Sequence, residues 1–171
     1  INKCNIDAVY KKKLVTKDDL ENLILKIRSH EIDGVNVTVP HKNGIIKYLD
    51  ELSPESEKTQ SVNTILKKKN KIIGHNTDIA GFELSLRYYK YDIKNKKVLV
   101  IGAGGVAPSI IYALEKARAK EIFLMNRTIK KAELIKNIFS RIKVIEWGVN
   151  DKFDMIINAT SLGLKKQDSM E

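Results

Sequence analysis

The sequence predicts an α/β chain of two lobes, an N-terminal α/β lobe over residues 1–77 and a C-terminal lobe over 78–171 built on a parallel sheet. Three observations lead there. From residue 97 onward, strand-like runs near 97–101, 121–126, 142–146 and 154–159 alternate with helical stretches near 105–117 and 129–139. That alternation is the pattern of a parallel, doubly wound sheet. The first of these strands runs directly into Gly102-Ala103-Gly104-Gly105-Val106-Ala107. Upstream, Gly34–Lys42 carries a strand pattern cut off by a proline, and a hairpin pattern follows it at 61–75.

In the first lobe, Thr16 is placed to cap a helix whose Leu20, Leu23, Ile24 and Ile27 share one face. The next element is a strand over 34–39. Val35, Val37 and Val39 recur at period two, so Asn36 and Thr38 take the other face. Pro40 cannot donate to a ladder and turns the chain. Lys42 is thereby delivered near the carboxyl end of a strand, beside two polar side chains. A helix-like stretch from Ile45 to Leu52 follows, interrupted by Pro54. Ser61–Leu66 and Ile72–Gly74 read as paired strands, with the lysine-rich run 67–71 as the hairpin tip.

A helix from Asp78 to about Tyr89, apolar at positions 79, 82 and 86, connects the lobes. Asp78 is either its N-cap or a site carboxylate. The two roles are compatible, since one oxygen can cap while the other stays free.

The second lobe opens with the strand Lys97–Ile101, the glycine turn and a helix carrying Ile110, Ile111 and Leu114. Strand, glycine turn and helix together form the phosphate-binding start of a Rossmann-like dinucleotide fold. Gly102 permits the tight turn, Gly104 lets the backbone approach a pyrophosphate, and the helix N-terminus offers N–H groups and a positive dipole. Ala107 stands where a third glycine often sits. The next strand ends at Asn126-Arg127-Thr128, where this fold tests the adenosine ribose. Asn126 replaces the carboxylate that would favour NAD, and Arg127, with Lys130 and Lys131 nearby, can grip a 2′-phosphate. The cofactor reads as NADP; the alternative is that Arg127 is a solvated loop residue.

The motifs taken in order resemble those of shikimate dehydrogenases. They are Gly34–Lys42, Val62-Asn63-Thr64, Asn76-Thr77-Asp78 with Gly81-Phe82, the Gly102–Gly105 turn, Asn126-Arg127-Thr128 and Asn158-Ala159-Thr160-Ser161-Leu162-Gly163-Leu164. The resemblance extends from Asp7-Ala8-Val9-Tyr10 to Leu164. It implies NADP-linked interconversion of 3-dehydroshikimate and shikimate, a step towards aromatic amino acids. By resemblance, Lys42 matches the catalytic lysine and Asp78 its partner. Thr38 and Asn63 match substrate-binding positions, as do Lys42 and Asp78. Gly102, Ala103, Gly104, Gly105 and Val106 match the pyrophosphate loop, and Asn126, Arg127, Thr128 and Lys131 the 2′-phosphate segment. The family usually has arginine where Lys131 stands. Thr160 and Ser161 lie where the family's chain passes the nicotinamide. Quinate or another hydroxy acid, with NAD or NADP, is the alternative activity, and a non-catalytic NADP-binding module the alternative class.

Two segments of the family pattern have no counterpart in these 171 residues: an opening strand with a Ser-x-Ser segment, and a closing helix with a glutamine. Ile1 is expected to lie inside the helix after the first, and Glu171 to precede the second. The chain is therefore expected to be truncated at both ends.

Composition narrows the class. The hydrophobic share of 43% suffices for packed cores. Cys4, the one cysteine, has no internal disulfide partner and reads as structural or incidental. No apolar run approaches the ~18 residues of a membrane span. The formal charge of +10 comes largely from dispersed lysines with few aromatics among them, the pattern of a solvated surface and not of a nucleic-acid face. That positive field also suits capture of an anionic cofactor and a carboxylate substrate. The three histidines have no metal-ligand spacing, so no metal is expected. The expectation is a cytoplasmic enzyme, monomeric or homodimeric, with small-molecule partners only.

Overall fold

A computed structural model describes residues 7–149 and 151–163. The reading of Cys4, and those attached to Ile1, Leu164 and Glu171, lie outside the described residues. Two four-stranded sheets organise the chain.

Helix α1 (Leu20–Arg28) buries Leu20, Ile24 and Ile27, as their spacing predicts. Thr16 is not its cap. The Asp19 carboxylate reaches back to accept from the Thr16 N–H at 3.1 Å and hydroxyl at 2.5 Å, half of a capping box set one turn before the helix. Those hydrogen bonds hold the Asp19 carboxyl below its ordinary range.

Strand β1 is Gly34–Asn36, shorter than the 34–39 its valines suggest. Val37 is buried, but Val39 is 70% exposed. The chain leaves the ladder once the Val37 N–H has donated to the Asn63 carbonyl at 2.8 Å. It then turns, with the His41 N–H on the Thr38 carbonyl at 2.9 Å. The Val39–Pro40 peptide is cis.

The stretch from Ile45 to Leu52 is not a helix. It forms one 3-10 turn, Ile46–Tyr48, and then β2 (Glu51–Leu52). Ile45 is buried in either arrangement, so apolar spacing over so short a run does not distinguish them. Pro54 opens helix α2 (Pro54–Thr59) instead of interrupting one. Ser53 caps it by accepting from the Ser56 N–H at 3.2 Å, and proline fits the first helical position, where no N–H is needed.

Strands β3 (Thr64–Lys68) and β4 (Lys71–His75) form the expected hairpin, with its tip tightened to Lys69 and Asn70. The sheet order is β1-β3-β4-β2, with only β2 and β4 parallel. Its core gathers Leu20, Ile24, Ile27, Ile45, Val62, Ile65 and Ile72.

Helix α3 (Asp78–Tyr88) leads to the second sheet: β5 (Lys97–Ile101), α4 (Ala107–Lys116), β6 (Glu121–Met125), α5 (Ile129–Ile138), β7 (Lys143–Ile145) and β8 (Met155–Asn158). All pairings are parallel and the order is β7-β6-β5-β8. The chain starts in the middle, steps outward twice, and returns to the far side of β5. The carboxyl ends of β5 and β8 therefore flank the point where strand order reverses, the usual ligand position in such sheets.

The second sheet has the strand order of the doubly wound expectation, with its described helices on one face. Residues of α3, α4 and α5 join Val98, Val100, Ile122 and Leu124 in one cluster on one face. The opposite face holds Leu99, Phe123 and Met125 with Phe153, which comes from the β7–β8 connection. That connection carries no helix among its described residues. Among the described residues no helix is long and apolar enough to cross a membrane, and no group of metal-ligating side chains forms.

The first lobe is stapled by Asp50, which accepts from the Arg28 guanidinium at 2.9 Å and from the Ile72 N–H at 2.7 Å. Chiefly the Arg28 hydrogen bond, then the backbone one, holds the Asp50 carboxyl below its ordinary value of 3.8. A depressed folded-state pKa stabilises above the unfolded value and is lost as pH falls through the folded one. Asp50→Asn should therefore melt lower than wild type at pH 7. The gap should narrow as pH drops below 3.8, measured as thermal midpoints across an acid series.

Candidate functional site

Lys42 sits just past the turn that closes the β1 segment. Its carbonyl accepts from the Val62 N–H at 2.8 Å, which fixes it beside the start of β3. Asn63, the next residue, receives the Val37 N–H on its own carbonyl and donates its N–H to the His75 carbonyl. Asp78 is the first residue of α3. These three segments bring three side chains together. The Lys42 ammonium donates to Asp78 Oδ2 at 2.6 Å, and Asn63 Nδ2 donates to Asp78 Oδ1 at 2.8 Å. The lysine and aspartate side chains are 15% and 26% exposed. The pair is sheltered enough for strong charge-assisted bonds and open enough for a ligand to reach it.

This arrangement decides between the two readings of Asp78. The residue is not the N-cap. Thr77 holds that position and makes no side-chain cap bond. Two asparagines satisfy the helix start instead: Asn63 Oδ1 accepts from the Thr77 N–H at 3.0 Å, and Asn76 Oδ1 from the Asp78 N–H at 3.1 Å. Both Asp78 oxygens are thus left to side chains, and the helix N-terminus favours the carboxylate's charge.

Asn76, part of the Asn76-Thr77-Asp78 motif but given no role there, braces this cluster. It is buried, and its Nδ2 donates to Thr59 Oγ1 at 3.0 Å and to Ser109 Oγ at 2.8 Å. One amide thereby joins α2, the start of α3 and the first turn of α4. The available signal was an asparagine two residues before a carboxylate at a helix start, the spacing of a turn closed by the asparagine's own side chain. Buried Ser61 makes a second tie, from its Oγ to the Gly105 carbonyl at 3.4 Å. Hydrogen bonds thus link the side of the chain that carries the Lys42–Asp78 pair to the glycine turn and its helix.

Thr38 lies beyond the β1 ladder, exposed, one residue past the Val37 contact with Asn63. No side-chain hydrogen bond among the described residues joins it to the Lys42 cluster.

The glycine turn follows β5 as expected. Gly102 adopts φ 106°, and a Cβ there would lie 2.7 Å from Thr160 Cγ2 and 3.0 Å from the Ala159–Thr160 backbone. This glycine is required by the protein's own packing. A Cβ on Gly105 would meet nothing within 4 Å. The Ala103 N–H donates to Asn126 Oδ1 at 3.0 Å. Among the described residues, no acceptor receives the N–H groups of Gly104, Gly105 or Val106. Such a run of free donors at a helix start is a cradle for phosphate oxygens. Ala107 is fully buried, which accounts for a small residue where the helix closes on the sheet.

Past β6, Asn126 is a loop brace, holding Ala103 on one side and donating to the Thr128 carbonyl at 2.8 Å on the other. Arg127, Thr128 and Lys131 are exposed. Among the described residues neither Arg127 nor Lys131 has an ion-pair partner. Past β8, Thr160 is tied into its loop: its hydroxyl donates to Asn158 Oδ1 at 2.6 Å and accepts from the Leu162 N–H at 3.0 Å. Ser161 is exposed beside it. The structure therefore brings Lys42, Asn63 and Asp78 into contact, and sets the glycine turn, the Arg127 turn and the Thr160 loop along the carboxyl edge of the second sheet.

Residues 1–65 match the family model for the shikimate dehydrogenase substrate binding domain, and residues 83–163 that for shikimate / quinate 5-dehydrogenase. This chain belongs to the shikimate dehydrogenase family. A relative from Pelagibacter ubique (strain HTCC1062), named shikimate dehydrogenase (NADP(+)), is 54% identical over 170 residues, spanning 99% of this chain and 64% of the relative. The crystal structure of shikimate dehydrogenase from Aquifex aeolicus superposes with a TM-score of 0.91 at 36% identity, over 99% of this chain and 64% of that one. The Thermus thermophilus enzyme, crystallised in complex with NADP(H) and shikimate, superposes with a TM-score of 0.86 at 28% identity, over 95% and 61%. The chain thus spans less than two thirds of the length of these three family members.

The two glycines should separate under substitution. Gly102→Ala combines a positive φ with backbone overlap and should cost about 1–3 kcal/mol of stability. Gly105→Ala, which meets no neighbour, should stay within about 0.5 kcal/mol. Denaturant unfolding of the two variants checks this.

Proposed function

We propose that the enzyme this chain represents catalyses the NADP-dependent, reversible reduction of 3-dehydroshikimate to shikimate. The observation that carries the proposal is the sheltered Lys42–Asp78–Asn63 cluster, tied through hydrogen bonds to a glycine turn with free N–H donors. Family membership and the ligands named for the Thermus thermophilus relative support the same reading.

In this reading residues 1–77 form the substrate side and 78–171 the cofactor side, a division consistent with the two separate sheets. The residues fit an NADP-type ligand. The amides of Gly104, Gly105 and Val106 would hold the pyrophosphate, with Gly102 and Ala103 shaping the turn. Arg127, Thr128 and Lys131 would receive the 2′-phosphate, while Asn126 keeps that turn in place. Thr160 and Ser161 would border the nicotinamide end. When bound, the nicotinamide supplies or accepts the hydride.

The chain's own residues handle the proton and the orientation. Lys42 Nζ donates a proton to the ketone oxygen as that oxygen gains negative charge. Asp78 holds the ammonium in place and can accept from a substrate hydroxyl. Asn63, fixed by Thr77 at its other end, orients Asp78 and offers its amide to the substrate. Thr38, which the family resemblance matches to a substrate-binding position, would take part in binding the same substrate. The cytoplasmic setting and the monomeric or homodimeric state belong to this proposal as well.

Shikimate-dependent NADP reduction, measured on this chain and on the full gene product with quinate as the comparison substrate, tests the assignment. Faster turnover of quinate than shikimate would move it to the family's other named substrate. Within an active protein, Lys42→Ala should lower kcat about 10²- to 10⁴-fold and leave the NADP dissociation constant within about twofold. Near-normal turnover would remove the lysine from the mechanism. Arg127→Ala should weaken NADP about tenfold and NAD hardly at all, read from paired titrations with the two cofactors.

A further inference from the structure

The cofactor reading above leaves one large aromatic without a role. Trp147 is the only tryptophan of the chain and is 53% exposed. It belongs to none of the three apolar clusters. Its place in the sheet is specific. Strands β6 and β7 run parallel, with Met125 paired to Ile145. Arg127 stands two residues beyond that pair in the turn after β6, and Trp147 two residues beyond it in the turn after β7. Both residues therefore lie just past the carboxyl edge, in the turns that follow neighbouring strands about 4.8 Å apart. Gly148 follows at φ 88°, so the chain turns immediately after the indole.

We infer that Trp147 binds the adenine ring of NADP by stacking, and so sets part of the affinity for the adenosine half. The inference rests on the NADP reading of the glycine turn. A dinucleotide in this fold lies across the carboxyl edge with its pyrophosphate at the turn after β5. One half extends to the reversal point between β5 and β8, where the Ala159–Thr160 backbone passes Gly102. The other half must run over β6 towards β7. It meets Arg127 first, at the position suited to the 2′-phosphate. The base lies farther along, at the last strand of the sheet. There the described chain offers one broad aromatic face, that of Trp147. An aromatic side chain stacks on a base through the π-face that every base has, and its removal lowers affinity about five- to a hundredfold.

The test uses the chain, Trp147→Phe and Trp147→Ala, each titrated with NADP⁺, with 2′,5′-ADP as the adenosine half, and with nicotinamide mononucleotide as the other half. Indole emission is followed beside calorimetry. The signal of Trp147 is the part lost in Trp147→Phe. NADP⁺ and 2′,5′-ADP should quench it, and nicotinamide mononucleotide should not. Trp147→Ala should bind 2′,5′-ADP about tenfold more weakly, while Trp147→Phe, which keeps an aromatic face, should stay within about twofold. Should the alanine variant fail to fold, the wild-type quenching pattern decides. Heat of NADP⁺ binding with unchanged Trp147 emission and unchanged affinity in Trp147→Ala would overturn the stacking and leave the cofactor reading standing. Quenching by nicotinamide mononucleotide alone would overturn it by placing the indole at the wrong half. No heat from NADP⁺ or 2′,5′-ADP would overturn both readings.

Discussion

A single buried amide ties together the pieces this site needs. Asn76 donates to Thr59 and to Ser109 and accepts from the Asp78 N–H. Its partners lie on α2, on the helix that opens after the glycine turn, and at the start of the helix that bears the carboxylate. An unpaired amide in such a place would be costly, so each partner constrains the others. Among the described residues no buried side-chain nitrogen or oxygen lacks a partner. The relation between the Lys42–Asp78 pair and the glycine turn follows from that closed network. Ser61, reaching to Gly105, adds a second tie.

The ion pair itself is built for exchange. A deeply buried pair would bear a desolvation cost that its attraction does not reliably offset. A fully exposed one would contribute little and hold no fixed geometry. Lys42 and Asp78 lie between these limits, and Asn63 occupies the second carboxylate oxygen. The helix N-terminus beneath Asp78 is satisfied by asparagine side chains, so the carboxylate is not needed as a cap. Its bonding could therefore change without leaving a backbone donor unpaired.

Two different demands shape the glycine turn. Gly102 is imposed from within, because the chain leaving β8 passes so close that a methyl group would overlap it. Gly105 faces open space, and the N–H groups around it have no acceptor among the described residues. The first glycine preserves the junction of β5 and β8. The second leaves the turn open. Asn126 joins this turn to the next one along the edge, so the phosphate cradle and the Arg127 turn are positioned by one side chain.

Much of this was legible in the sequence. The parallel lobe was legible because its strands and helices are long enough for their periodicities to separate, and because a glycine run between strand and helix has few other meanings. Lys42 and the dual reading of Asp78 were legible from a proline after a strand and a polar run before a helix. The first lobe was harder to read. Its apolar stretches are short, so Ile45 to Leu52 suited a helix as well as the 3-10 turn and strand that form. Val39 kept the strand's alternation after the backbone had left the ladder. Composition and local spacing by themselves determined the fold class, the order of the elements in the second lobe and which residues could do chemistry. Only the tertiary structure decided that Asp78 turns to Lys42 instead of capping its helix, that Asn76 joins three helices, and that Arg127 and Trp147 follow the carboxyl ends of neighbouring strands. Those outcomes depend on hydrogen-bond partners and strand register contributed by segments far apart in the chain, which local spacing does not encode.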